Sequence, residues 1–96
     1  MAALAPYIAE NNNEMYAYYR LTASGLIKTG AGQLGGFIVA TGTPTITIYD
    51  GTTSAGTLIL NGVVTTAGVP YPVPVGFNTG LYVTISGTCD VTFFYY

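Results

Sequence analysis

Between Thr45 and Leu60 hydrophobic and polar positions alternate with a period of two. In Thr45-Ile46-Thr47-Ile48-Tyr49 the two isoleucines fall on one face of an extended chain, and Thr45, Thr47 and Tyr49 fall on the other. Asp50-Gly51 then opens a turn rich in Gly, Ser and Thr that runs to Gly56. Gly accepts positive φ there, and Asp bonds the local backbone. Thr57-Leu58-Ile59-Leu60 resumes the strand, with Leu58 and Leu60 expected on the inward face. The stretch therefore predicts a hairpin with a loop or bulge, to which the rest of the chain adds further strands.

Before it, Tyr16 to Thr22 reads as a first strand, with Tyr16, Tyr18 and Arg20 on one face. Ser24-Gly25 breaks it, and Leu26 to Thr29 forms a short second strand. Gly30 to Gly36 reads as a glycine-dense turn, and Phe37 to Ala40 as the next strand. After the hairpin, Asn61-Gly62 reads as a turn pair, followed by strand character at Val63 to Thr66. Pro70, Pro72 and Pro74 alternate within an extended segment. Proline donates nothing to a ladder, so this segment belongs at a sheet edge or in a polyproline-like crossover. Gly76 to Gly80 reads as a loop.

The last two strands alternate clearly. Leu81, Val83 and Ile85 face in; Gly87 to Asp90 turns; Val91, Phe93 and Tyr95 share one face, and Thr92, Phe94 and Tyr96 share the other. Short strands with turns every eight to twelve residues predict an all-β fold, a single antiparallel β-sandwich or jelly-roll-like domain of seven or eight strands over residues 16–96. Residues 1–15 differ in composition. Pro6 interrupts an Ala-rich run and Asn11-Asn12-Asn13 breaks it again, so they are expected to form an N-terminal arm.

Charge changes the picture most. Only 6% of the 96 residues are Asp, Glu, Lys or Arg, against about 25% in an average domain. Glu10, Glu14, Arg20, Lys28, Asp50 and Asp90 are the whole set. Either Thr, Ser, Asn and Gly hydrate the surface, or other subunits cover much of it. The high aromatic content favours the second reading. Two cations form no basic patch, which argues against nucleic-acid binding through phosphates. No apolar run reaches the roughly 18 residues of a membrane-spanning helix. Met1 to Ala5 lacks the basic region of a signal peptide. The single Cys89 has no intrachain partner, which suits a reducing compartment.

Candidate chemistry is thin. Gly30-Ala31-Gly32-Gln33-Leu34-Gly35 has the spacing of a dinucleotide-binding loop, yet strand and turn residues follow where that motif needs a helix. Histidine is absent, which removes the usual general base and metal ligand. Asp50 and Asp90 sit at turns, where Asp serves the backbone. Cys89 lacks cationic neighbours in sequence that would activate it. The expectation is no enzyme, no cofactor and no metal. Surface contact remains. Tyr16, Tyr18, Tyr19, Phe94 and Tyr96 are the candidate interface residues, because an aromatic ring gives large area at low entropy cost. The competing reading places them in the core, which is preferred for Phe93 and Tyr95.

Leu26-Ile27-Lys28-Thr29-Gly30, Leu34-Gly35-Gly36, Ile48-Tyr49-Asp50-Gly51-Thr52, Ser54 to Thr57, Gly76 to Thr84, and Gly87-Thr88 with Asp90-Val91-Thr92 and the closing aromatic run form a pattern. It resembles small β-sandwich structural proteins of tailed bacteriophages. The likeness spans roughly residues 20 to 96, on turn-and-strand motifs. It implies a virion structural role, a capsid decoration (cement) protein that forms a homo-oligomer, often a trimer, on the major capsid protein. Location would be the capsid surface after synthesis in the host cytoplasm. Related domains in head fibres, necks and tails, and carbohydrate- or receptor-binding β modules, are the alternatives. The resemblance carries over no functional residue.

Overall fold

A computed structural model describes residues 16–96. The expected N-terminal arm lies outside the described residues. Eight strands form: β1 (Ala17–Leu21), β2 (Gly25–Thr29), β3 (Gly32–Thr41), β4 (Thr45–Asp50), β5 (Thr57–Val64), β6 (Pro70–Phe77), β7 (Gly80–Ser86) and β8 (Asp90–Tyr95). They make two antiparallel sheets of four, in the orders β1-β8-β3-β6 and β2-β7-β4-β5. The domain is an all-β sandwich, as the alternation predicts, and the described residues contain no helix.

The wiring follows from one hairpin. β4 pairs with β5, β3 with β6, β2 with β7 and β1 with β8. The chain is thus a long two-stranded ribbon bent back on itself at the Asp50–Gly56 turn. Rolling the ribbon brings β8 beside β3 and β7 beside β4, which completes both sheets.

Inward residues of both sheets fill the space between them. Leu34, Phe37, Val39, Ile46, Ile48, Leu81, Val83, Val91 and Phe93 are almost wholly buried. The Phe37 ring stacks on Tyr71 at 5.2 Å and 20°, and tilts against Phe93 at 5.2 Å and 37°. Such offset aromatic contacts add to plain area burial. Thr65 is buried too, and its hydroxyl donates to the Pro44 carbonyl at 2.7 Å.

Four local expectations need correction. Gly32 to Gly36 is strand rather than turn: β3 starts at Gly32, and Gly35 is the extra residue of a bulge between Leu34 and Gly36 opposite β8. Gly36 has φ 146°, and a Cβ there would run into the Tyr71 carbonyl of β6. Asn61-Gly62 does not turn the chain. It is a second bulge, where Gly62 at φ 61° points its N–H at the Thr47 hydroxyl, 3.1 Å away. Leu58 faces outward and is 51% exposed. Ile48 pairs with Leu60 but Tyr49 pairs with Leu58, so Ile59 is extra and the alternation flips there. Gly76 and Phe77 end β6 rather than starting a loop, with Phe77 buried.

Candidate functional site

The five aromatic candidates are all exposed, from 38% for Phe94 to 74% for Tyr18. The β1–β8 register sorts them. Tyr18 lies opposite Phe94, and Arg20 opposite Thr92, on the outer face of the first sheet. Tyr16 continues that face, its ring meeting Tyr96 edge-on at 6.3 Å and 68°. Tyr16, Tyr18, Phe94 and Tyr96 therefore form one aromatic surface. Tyr19 does not join it. It lies opposite buried Phe93, so it points toward the core side and is exposed only because β1 is an edge strand. Phe93 is fully buried and Tyr95 packs partly buried against the core, as expected.

The same face extends across β3 to β6. Gly36 and Ile38 pair with Phe94 and Thr92 on one side, and with Pro72 and Pro70 on the other. Ordinary strand residues there would stand over the sheet; Gly35, Gly36 and the flat prolines keep it low. A shallow pocket of about 140 Å³ opens where Tyr16 meets Gln33, Leu34, Pro74, Val75 and Gly76. Of the two places expected for the prolines, a sheet edge or a crossover, the structure has the edge, and it joins them to the aromatic face, which the sequence does not announce directly. Their alternation with Tyr71, Val73 and Val75 was the available signal, because it turns all three to the side opposite the core.

A second apolar row, which no single segment of the sequence announces, crosses the other sheet. Leu26 lies opposite Tyr82, Tyr82 opposite Tyr49, and Tyr49 opposite Leu58. These four cross the outer face of the second sheet, with the Tyr49 and Tyr82 rings 6.3 Å apart. Beside them Thr45 pairs with Ser86 and Thr47 with Thr84, so half of this face is hydroxyl.

The charged groups are engaged in holding the frame. Arg20 donates to both oxygens of Asp90, Nε to Oδ1 at 2.7 Å and Nη2 to Oδ2 at 2.9 Å. That hydrogen-bonded pair lowers the Asp90 pKa and raises that of Arg20. Asp50 accepts N–H bonds from Thr79 at 2.8 Å, from Asn78 at 3.0 Å and from Gly80 at 3.4 Å. Those amides, Thr79 foremost, hold its carboxyl below the usual range. It clasps the β4–β5 turn to the β6–β7 turn. Lys28 donates to the Tyr96 carbonyl at 3.3 Å, from one sheet to the end of the other. Cys89 is buried, and burial first and Asp90 second push its thiol pKa up, away from thiolate chemistry.

Among the described residues no group of three or more His, Cys, Asp or Glu is placed to hold a metal. Asp50 and Asp90 belong to different sheets, each with its own partners. The arrangement offers aromatic area, backbone and amide polarity, and hydroxyls. No protein-family model, no curated protein and no solved structure matches the chain.

Proposed function

We propose that this chain is a virion structural protein, a capsid decoration (cement) protein of the tailed-bacteriophage kind, which assembles as a homo-oligomer and stabilises the major capsid shell. We read the rolled ribbon as a jelly roll, with two Greek keys. One observation supports the role above the others. The four charged side chains of the described domain all bond within it, while Tyr16, Tyr18, Phe94 and Tyr96 stand together outside. A surface with its ions turned to internal work and its aromatics outward suits burial against protein. The reading assigns no catalysis, cofactor, nucleic acid or membrane to the chain, and locates it on the capsid surface.

Quantitative mass spectrometry of purified particles tests it. Copies comparable in number to the shell protein support decoration. A few copies per particle move the chain to a neck, tail or head fibre, and none removes the virion role.

A second reading has its own observation. Tyr16 and Gln33 both line the pocket, and an aromatic residue beside an amide residue is a combination that suits a sugar ring. As a carbohydrate- or receptor-binding module the chain would give hits on a glycan array that Tyr16→Ala abolishes. An array without hits discards this reading.

A further inference from the structure

The two sheets have four edge strands, and three of them carry devices that refuse a further strand. β6 has Pro70, Pro72 and Pro74. The ladder shows which way their nitrogens point. Gln33 and Tyr96 exchange both backbone bonds, at 3.0 and 2.7 Å. Alternation from Tyr96 turns Phe94 and Thr92 toward β3, so their partners Gly36 and Ile38 bond to β8, and Phe37 turns to Tyr71 of β6. Pro70 and Pro72 therefore face the open edge, which lacks donors there. β5 is bent by two bulges. β2 has a bulge at Ile27 and an inward-reaching Lys28.

β1 has none of these. Its five pairs with β8 run without a register shift, and it contains no proline. The same alternation assigns its backbone. Tyr95, Phe93 and Val91 turn toward β1, which engages Ala17, Tyr19 and Leu21. Tyr18 and Arg20 then point N–H and C=O outward, and among the described residues no strand pairs with them.

We propose that this edge is a self-association site, at which β1 of one copy pairs antiparallel with β1 of a second copy about a two-fold axis at Tyr19. The sequence Ala-Tyr-Tyr-Arg-Leu suits itself in that register. Tyr18 of each copy bonds Arg20 of the other, and the guanidinium lies beside the facing ring on the outer surface, a cation–π arrangement. Each Arg20 is already neutralised by Asp90 of its own chain, so bringing two together costs little repulsion. The two first sheets become one sheet of eight strands, and the aromatic surfaces of both copies become continuous. The contact is isologous and joins chains in twos. It does not rest on the virion reading, because the open edge exists whatever the particle.

The test transfers the β6 device to β1. Tyr18→Pro removes the outward N–H and leaves the β8 ladder untouched, because that amide is not used there. Tyr18→Thr removes the ring and keeps the N–H. Sedimentation equilibrium of the full chain should show mass rising from 10.0 kDa to twice that value with concentration. Tyr18→Thr should weaken association by about five- to thirtyfold, the scale of two exposed cation–π contacts, and Tyr18→Pro should abolish it. Amide exchange on the unaltered chain needs no variant: the Tyr18 and Arg20 amides should gain protection as concentration rises. A chain that stays single at all concentrations overturns the proposal. So does an oligomer indifferent to Tyr18→Pro, or protection that persists at dilutions where the chain is single, which would mean that residues 1–15 cover the edge.

Discussion

The ring of Tyr16 lies over Gly35, so that a Cβ on the glycine would stand 2.8 Å from a ring carbon. Gly35 is the bulged residue of β3, and the tyrosine covers backbone that would otherwise face water in the middle of a sheet. The pairing is an aromatic rescue of a strand glycine. Tyr16→Ala should therefore lower stability by about 0.5–1 kcal/mol, the scale of a cross-strand aromatic contact, although the side chain is exposed. Gly35→Ala should act at the same spot by displacing the ring, and the two changes together should cost less than their sum. Urea unfolding of the two single variants and the double variant checks this.

The clasp at Asp50 makes a pH prediction. Its carboxylate is stabilised in the folded chain by the amides of Thr79, Asn78 and Gly80, so its folded pKa lies below its unfolded value. Asp90 is lowered likewise by Arg20. A depressed carboxylate contributes stability that is complete above the unfolded pKa, about 3.9, and is lost as pH falls through the folded value. The melting temperature should be flat around neutrality and fall below about pH 4. In Asp50→Asn the neutral-pH melting temperature should drop and the acid slope should become shallower, because one of the linked protons is gone. A melting series from pH 7 to pH 2 reads both effects.

Gly36 holds a position that a side chain cannot share. Its φ of 146° is in the region that favours glycine, and the Tyr71 carbonyl occupies the place of a Cβ. Tyr71 in turn stacks on Phe37, so pushing β6 away would open the core. Gly36→Ala should cost about 2–4 kcal/mol, because the collision adds to the backbone strain at this buried position. Gly30→Ala provides the comparison. That residue also has positive φ but has nothing within 4 Å, so only backbone strain applies and the loss should be about 1 kcal/mol. Denaturant midpoints of the pair separate collision from strain.

The glycines also show why some of the chain was readable and some was not. Ile46 and Ile48, or Val91 and Phe93, announce a strand through local alternation, and they are buried where that alternation puts them. A glycine announces only freedom. At Gly51 φ is not positive, contrary to the expectation for that turn, and the missing side chain instead lets Gly56 close against it; at Gly35, Gly36 and Gly62 a glycine makes a bulge or admits a neighbour's backbone. What separates these cases is the partner strand, which alternation within one segment does not reveal. Leu58 was misplaced for the same reason, since the extra residue Ile59 is defined only against β4. In the aromatic surface, Tyr16 and Tyr18 were legible as one face, and Tyr96 as sharing a side with Phe94. That these two pairs form one surface, and that Tyr19 stands on its other side, depends on the pairing of Tyr18 with Phe94 and of Tyr19 with Phe93. The proline edge was legible because missing donors are a property of the residue itself.

Thr65 gives the last prediction, because its two groups use one acceptor. Both its hydroxyl, at 2.7 Å, and its N–H, at 3.1 Å, donate to the Pro44 carbonyl. Thr65→Val removes the first bond and keeps the second, so the carbonyl retains a donor. The buried methyl that replaces the hydroxyl has no unmet polar demand. The change should cost only about 1 kcal/mol, one ordinary net hydrogen bond. Thr65→Ser keeps both bonds but deletes a buried methyl, and should also cost about 1 kcal/mol, by cavity formation. Thr65→Ala does both and should cost about 2 kcal/mol if the contributions are independent. Equilibrium denaturation of the three variants decides whether Thr65 acts through its hydroxyl, its methyl or both. A Val variant as destabilised as the Ala variant would mean that the hydroxyl dominates, and that the N–H bond to Pro44 fails without it.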